Sequence, residues 1–130
     1  MQMFQKSGAD VSWRVEGPLN IGGRINVIAI NPDNSDQILI GTAAGGVFKS
    51  NDSGLNWEPI GEDFVRMPIG AIAYNPQNPN EIYVGTGDPN IGGSPETGNG
   101  IYKSIDGGLT WNHKGPSEVG IVSKVLVHPT

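Results

Sequence analysis

The chain has 130 residues, 8 Lys+Arg against 13 Asp+Glu, a net charge of −5, no cysteine and 2 histidines. That length is about one ordinary domain, and the charge balance, with no cluster of Lys and Arg, argues against nucleic acid and acidic membrane surfaces as partners. Lack of cysteine removes disulfides, thiol nucleophiles and cysteine-ligated zinc, and His113 and His128 alone cannot build a multi-histidine metal site.

No apolar run approaches the ~18–20 residues of a membrane span, and no basic start with an apolar stretch and cleavage site reads as a secretory signal. Residues 1–11 form a lead-in, and "SWRVEG" (12–17) reads as an isolated strand. Then come "RINVIAI" (24–30), the turn "NPDNSD", "QILIGT" (37–42), "VFKS" (47–50) and "NWEPI" (56–60). A second set follows: "IGAIAY" (69–74), "EIYVGT" (81–86), "IYKS" (101–104) and "TWNHK" (110–114). β-branched and aromatic residues dominate these runs, and no helical spacing competes with them. The 20 glycines and 10 prolines fall between the runs, where they read as turns rather than as disorder.

The two sets are copies. Trp13 to Trp57 is 44 residues and Trp57 to Trp111 is 54. Gly41 to Ser50 is nine steps whereas Gly85 to Ser104 is nineteen, so one ten-residue insertion accounts for the difference. Four antiparallel strands per ~40–50 residues is the unit of a β-propeller blade. The fold class predicted is therefore all-β, a propeller of four-stranded antiparallel blades within one domain (12–130). It comprises an outer closing strand (12–17), blade 1 (24–60), blade 2 (68–114) and the first strand of a third blade (121–130). Propellers close with roughly 4–8 blades, so this inventory predicts a piece of a longer protein, or a need for blades from other chains.

Each copy carries a polar octet, "SNDSGLNW" (50–57) and "SIDGGLTW" (104–111). Ser50, Asp52, Gly54 and Trp57 match Ser104, Asp106, Gly108 and Trp111. The aspartate can accept backbone N–H bonds in a tight turn, the serine adds a short-range bond, and glycine tolerates positive φ. The tryptophan then carries apolar area between sheets. One carboxylate per octet, with no partner, makes a structural staple and not an acid/base site.

This pattern, Ser-x-Asp-x-Gly-x-x-Trp, resembles the Asp-box of BNR-repeat β-propellers. With the flanks "GPLNIGGRINVIAINP", "GTAAGGVFKS" and "GNGIYKS", the chain is similar to the bacterial branch of sortilin-like and xyloglucanase-like propellers from Trp13 onward. The resemblance implies a secreted or cell-surface bacterial protein, with the Asp-boxes on the face opposite the binding site. It implies a scaffold binding carbohydrate or protein. The alternatives are a glycoside hydrolase whose carboxylates lie largely outside these residues, and a sortilin-like peptide receptor.

On such a blade, the site face is built by residues 17–24, 43–46, 61–68 and the insert 87–100. The ligand-binding candidates there are Arg24, Arg66, Asp88, Asn90, Glu96 and Asn99. No catalytic residue is assigned, since nothing singles out a pair among Asp88, Glu96, Glu62 and Asp63. Asp88, Asn90, Ser94, Glu96 and Asn99 are hard oxygen ligands that could suit Ca²⁺ in the 87–100 loop; no other cofactor is expected. Sialidases carry an Arg-Ile-Pro motif near the position of Arg24, but Asn26 replaces the proline, so Arg24 reads instead as a loop-ordering or channel salt-bridge residue. The remaining propeller blades, and a polysaccharide or peptide ligand, are the expected partners.

Overall fold

The computed structural model describes residues 23–61, 64, 67–90, 97–116, 118 and 120–129. The predicted strand at 12–17, with Trp13, lies outside them, as do the candidates Arg66 and Glu96. Every regular element among the described residues is a strand: β1 (Ile25–Ile30), β2 (Ile38–Thr42), β3 (Val47–Ser50), β4 (Glu58–Ile60), β5 (Ile69–Asn75), β6 (Asn78–Thr86), β7 (Ile101–Ser104) and β8 (Asn112–Gly115). They form two four-stranded sheets in the orders β1-β2-β3-β4 and β5-β6-β7-β8, with every neighbouring pair antiparallel. The chain is all-β and its sheets are propeller blades.

The registers repeat as the strands do. Ile28 faces Ile40 in blade 1 and Ile72 faces Val84 in blade 2, each downstream of a shift near the start of the inner strand. The turns repeat too: Asn31 Oδ1 accepts from Asp33 N at 2.9 Å, and Asn75 Oδ1 accepts from Gln77 N at 2.9 Å. A short amide that bonds its own backbone two residues on is what sets such a turn. The outer strands begin later than the apolar pattern predicts, at Glu58 and Asn112. Residues 56–57 and 110–111 are drawn into the octet turns, where Asn56 and Thr110 bond to an aspartate and the tryptophans to a glycine carbonyl.

The two blades pack face to face around Leu39, Val47, Phe64, Ile69, Ile72, Ile82, Val84 and Tyr102. Alternation along β1 sends Val27 and Ala29 toward this core and leaves Ile28 and Ile30 64% and 56% exposed. In β3 the same period directs Val47 to the core. Phe64, in the connection between blades, is fully buried and meets Tyr102 and Trp111 edge-to-face at 4.8 and 5.1 Å. The blades approach each other tightly at Gly41, where a Cβ would lie 2.5 Å from the Ile69 side chain.

Residues 120–129 run beside blade 2 and form no ladder among the described residues. Val122 N donates to Thr86 O at 2.8 Å, and a Cβ on Gly85 would lie 2.4 Å from the Val122 side chain, as one on Gly41 would meet Ile69. In both blades the inner strand pairs with the next strand in sequence, and no such partner for 120–129 is among the described residues.

Candidate functional site

The octets close on themselves in the same way twice. Ser50 Oγ donates to Asp52 Oδ1 at 2.8 Å and accepts from Gly54 N at 2.8 Å; Ser104 Oγ donates to Asp106 Oδ1 at 2.7 Å and accepts from Gly108 N at 2.9 Å. Asp52 takes both the backbone and the side-chain amide of Asn56. Asp106 takes the backbone amide and the hydroxyl of Thr110. These donors, the Asn56 side chain first and the Thr110 hydroxyl first, lower both carboxyls, that of Asp106 to about 2. The indoles complete the turn by donating to Gly54 O at 2.9 Å and Gly108 O at 3.1 Å.

Two further features of the octets were not legible in their pattern. The residue before the shared glycine is left-handed as well: Ser53 has φ 59° and Gly107 has φ 73°. The tryptophans also differ in role, because Trp111 packs against the inter-blade core while Trp57 is not part of it. Trp111 faces blade 1 across Phe64; Trp57 lines a shallow surface recess with Lys49, Asn51, Asp52, Asn56 and Glu58.

The octets sit at one end of each blade. Gly107 N donates to Asn80 O and Ser53 N to Asp36 O, which joins the octets to the start of β6 and to the β1–β2 turn. At the other end, Ala43 N donates to Arg24 O at 2.9 Å, Gly46 N to Met67 O at 3.1 Å and Gly87 N to Pro68 O at 2.7 Å. Residue 24, the 43–46 and 67–68 loops and the start of the insert thus share an edge, the one opposite the octets.

On that edge a four-residue polar cluster spans the two blades. Arg24 Nη2 pairs with Asp88 Oδ2, across 64 positions of sequence. Arg24 Nε donates to Asn26 Oδ1 at 3.2 Å. Asn26 Nδ2 donates to Ile69 O at 3.1 Å and to Asp88 Oδ1 at 3.2 Å, while Asn90 donates its backbone N–H to Asp88 Oδ1 at 2.9 Å and its side-chain amide to Asn26 Oδ1 at 3.4 Å. Asp88 is only 2% exposed, whereas the Arg24 side chain is 52% exposed. A buried carboxylate needs this many partners, since an unpaired one would be strongly disfavoured.

Three of the described candidates, Arg24, Asp88 and Asn90, are therefore brought together. Asn99 is engaged elsewhere: its backbone N–H donates to Thr86 Oγ1 at 2.6 Å, and its amide to the Tyr102 hydroxyl at 3.0 Å. Its carbonyl lies 2.6 Å from His113 Nε2, and the His113 ring meets Tyr102 edge-on. Asn26 is the residue that sequence reasoning missed. A polar amide within the apolar run "RINVIAI", where blade 2 has Gly70, was the available signal. Among the described residues no group of three or more His, Cys, Asp or Glu is placed to hold a metal ion.

No protein-family model matches the chain, and no curated protein matches it. Among solved structures it is similar to an ancestral GH74 enzyme, at 29% identity and TM-score 0.58, over 68% of this chain and 12% of that one. It is also similar to the GH74 enzyme of Niastella koreensis, at 25% identity and TM-score 0.62, over 77% of this chain and 15% of that one. The GH74 xyloglucanase of Xanthomonas campestris matches at 19% identity and TM-score 0.51, over 74% of this chain and 15% of that one, and bears on the fold alone. The chain thus spans 12–15% of the length of these enzymes. They share its all-β propeller fold.

Proposed function

We propose that the chain supplies two blades of a secreted or cell-surface carbohydrate-binding propeller, with the saccharide at the edge carrying Arg24, Asn26, Asp88 and Asn90. One observation carries this reading. Polar side chains from blade 1 and from the insert converge on one edge and remain accessible at Arg24 and Asn90, while the shared polar groups of the octets at the opposite edge are consumed within their turns. Guanidinium and amide groups held in place by one another suit the fixed hydroxyls of a sugar ring, because little side-chain freedom is lost on binding. Similarity to two GH74 enzymes supports a saccharide over a peptide.

A glycoside hydrolase is the second reading, favoured by the same similarity. Its acid and base would lie outside this cluster: both Asp88 oxygens are engaged, so Asp88 serves as an anchor. Affinity electrophoresis of the chain through gels containing xyloglucan, mixed-linkage glucan, pectin or arabinoxylan tests the proposal. Retardation by at least one polysaccharide, reduced in Asn90→Ala, is the expected result; unchanged mobility in all of them refutes it. Sugar release from any of them by the chain would favour the hydrolase.

A further inference from the structure

Arg24 presents its donors in a particular division. A guanidinium has a side edge, formed by Nε and Nη2, and an end edge, formed by Nη1 and Nη2, each able to hold a planar two-oxygen group through parallel N–H bonds. The side edge is occupied: Nε donates to Asn26 and Nη2 to Asp88. Among the described residues nothing accepts from Nη1 or from the second Nη2 proton, and half of the side chain is open to solvent. Asp88 is itself fixed, 2% exposed and held by the Asn26 amide and the Asn90 backbone N–H. The guanidinium is thereby held before any ligand arrives, with its side edge closed on Asn26 and a buried anion and its end edge without an acceptor among the described residues.

We infer that the end edge of Arg24 is a carboxylate fork, and that the saccharide bound at this edge is an acidic one carrying a uronate. The inference rests on the carbohydrate-binding reading and narrows it. A neutral hydroxyl uses one donor of the fork; a carboxylate uses two in parallel, which is the geometry left open. Asp88 offsets the charge of Arg24, so recognition depends on the paired geometry more than on net attraction. Substituting lysine keeps the positive charge and removes the fork.

The test compares tri-galacturonate with its fully methyl-esterified form, which has the same rings without the anionic oxygens. Titration calorimetry with the full chain is expected to give a Kd at least about tenfold lower for the acid, with the difference abolished in Arg24→Lys. Asp88→Asn, which keeps shape but loosens the clamp, is expected to weaken the acid selectively; thermal melts of both variants establish that they are folded. Equal affinity for acid and ester overturns the fork and leaves carbohydrate binding intact. Binding of a neutral glycan with no binding of the acid does the same. Failure of every glycan, neutral and acidic, overturns both readings.

Discussion

Phe64 offers the sharpest test of how the two blades are held together. It is fully buried although it lies in a connection, and it meets Tyr102 at 4.8 Å and Trp111 at 5.1 Å, both edge-to-face. Truncating a buried phenylalanine to alanine costs about 3–5 kcal/mol, depending on how far the surroundings collapse. Collapse is limited here because backbone forms part of the wall: a Cβ on Gly61 would lie 2.5 Å from the Phe64 ring. Each edge-to-face pair adds about 0.5–1.5 kcal/mol beyond buried area, which puts Phe64→Ala at the upper end, about 4–5 kcal/mol. A domain of this size holds about 5–15 kcal/mol in all, so the variant should be close to unfolding. Phe64→Leu keeps most of the volume and loses the ring contacts, for about 1–2 kcal/mol. Urea denaturation followed by tryptophan fluorescence measures both, with Trp111 as a neighbouring reporter. A loss under about 1 kcal/mol for Phe64→Ala would refute the claim that this ring joins the blades.

Three further outcomes follow from the octets. Trp111→Ala should cost more than Trp57→Ala, by at least about 1 kcal/mol, because Trp111 packs against the core and Trp57 does not; equal losses in the same denaturation assay would contradict the asymmetry. Asp106 is depressed to about 2 in the fold from an ordinary 3.8, so its bonds contribute stability above pH ~4, and this is lost as pH falls toward 2. Asp52 acts in the same direction. Denaturation midpoints should therefore fall between pH 5 and about 2, less steeply in Asp106→Asn; an identical slope in the variant would sink the assignment. Gly108→Ala should lose about 1–2 kcal/mol from the left-handed backbone at φ 95°, and a neutral result would show that the turn relaxes.

Much of the fold is legible in the residues alone because its determinants are local. The spacing of Trp57 and Trp111, the paired Asn-Pro turns and the alternation within "VFKS" and "IYKS" each act over a few residues, and β3 and β7 fall where the pattern puts them. The edge bearing the candidate site also follows, since antiparallel strands in sequence order allot alternate turns to opposite ends. Where the pattern overran, at Asn56–Trp57 and Thr110–Trp111, side-chain bonds within the octet outcompeted the ladder.

The composition of the site depends on packing between blades. Arg24 and Asp88 are 64 residues apart, and no local rule pairs them until blade 2 stacks on blade 1 and sets Ile69 O beside the amide of Asn26. Phe64 sits in a polar loop and is buried only because both sheets close over it; Trp57 and Trp111 share a motif and differ only in what faces them. The sequence by itself determined the repeat, the blades and the turns, because hydrogen bonding and alternation are short-ranged. Tertiary structure alone decided which polar groups meet and which aromatic side chains are buried, because those depend on surfaces brought together from distant parts of the chain.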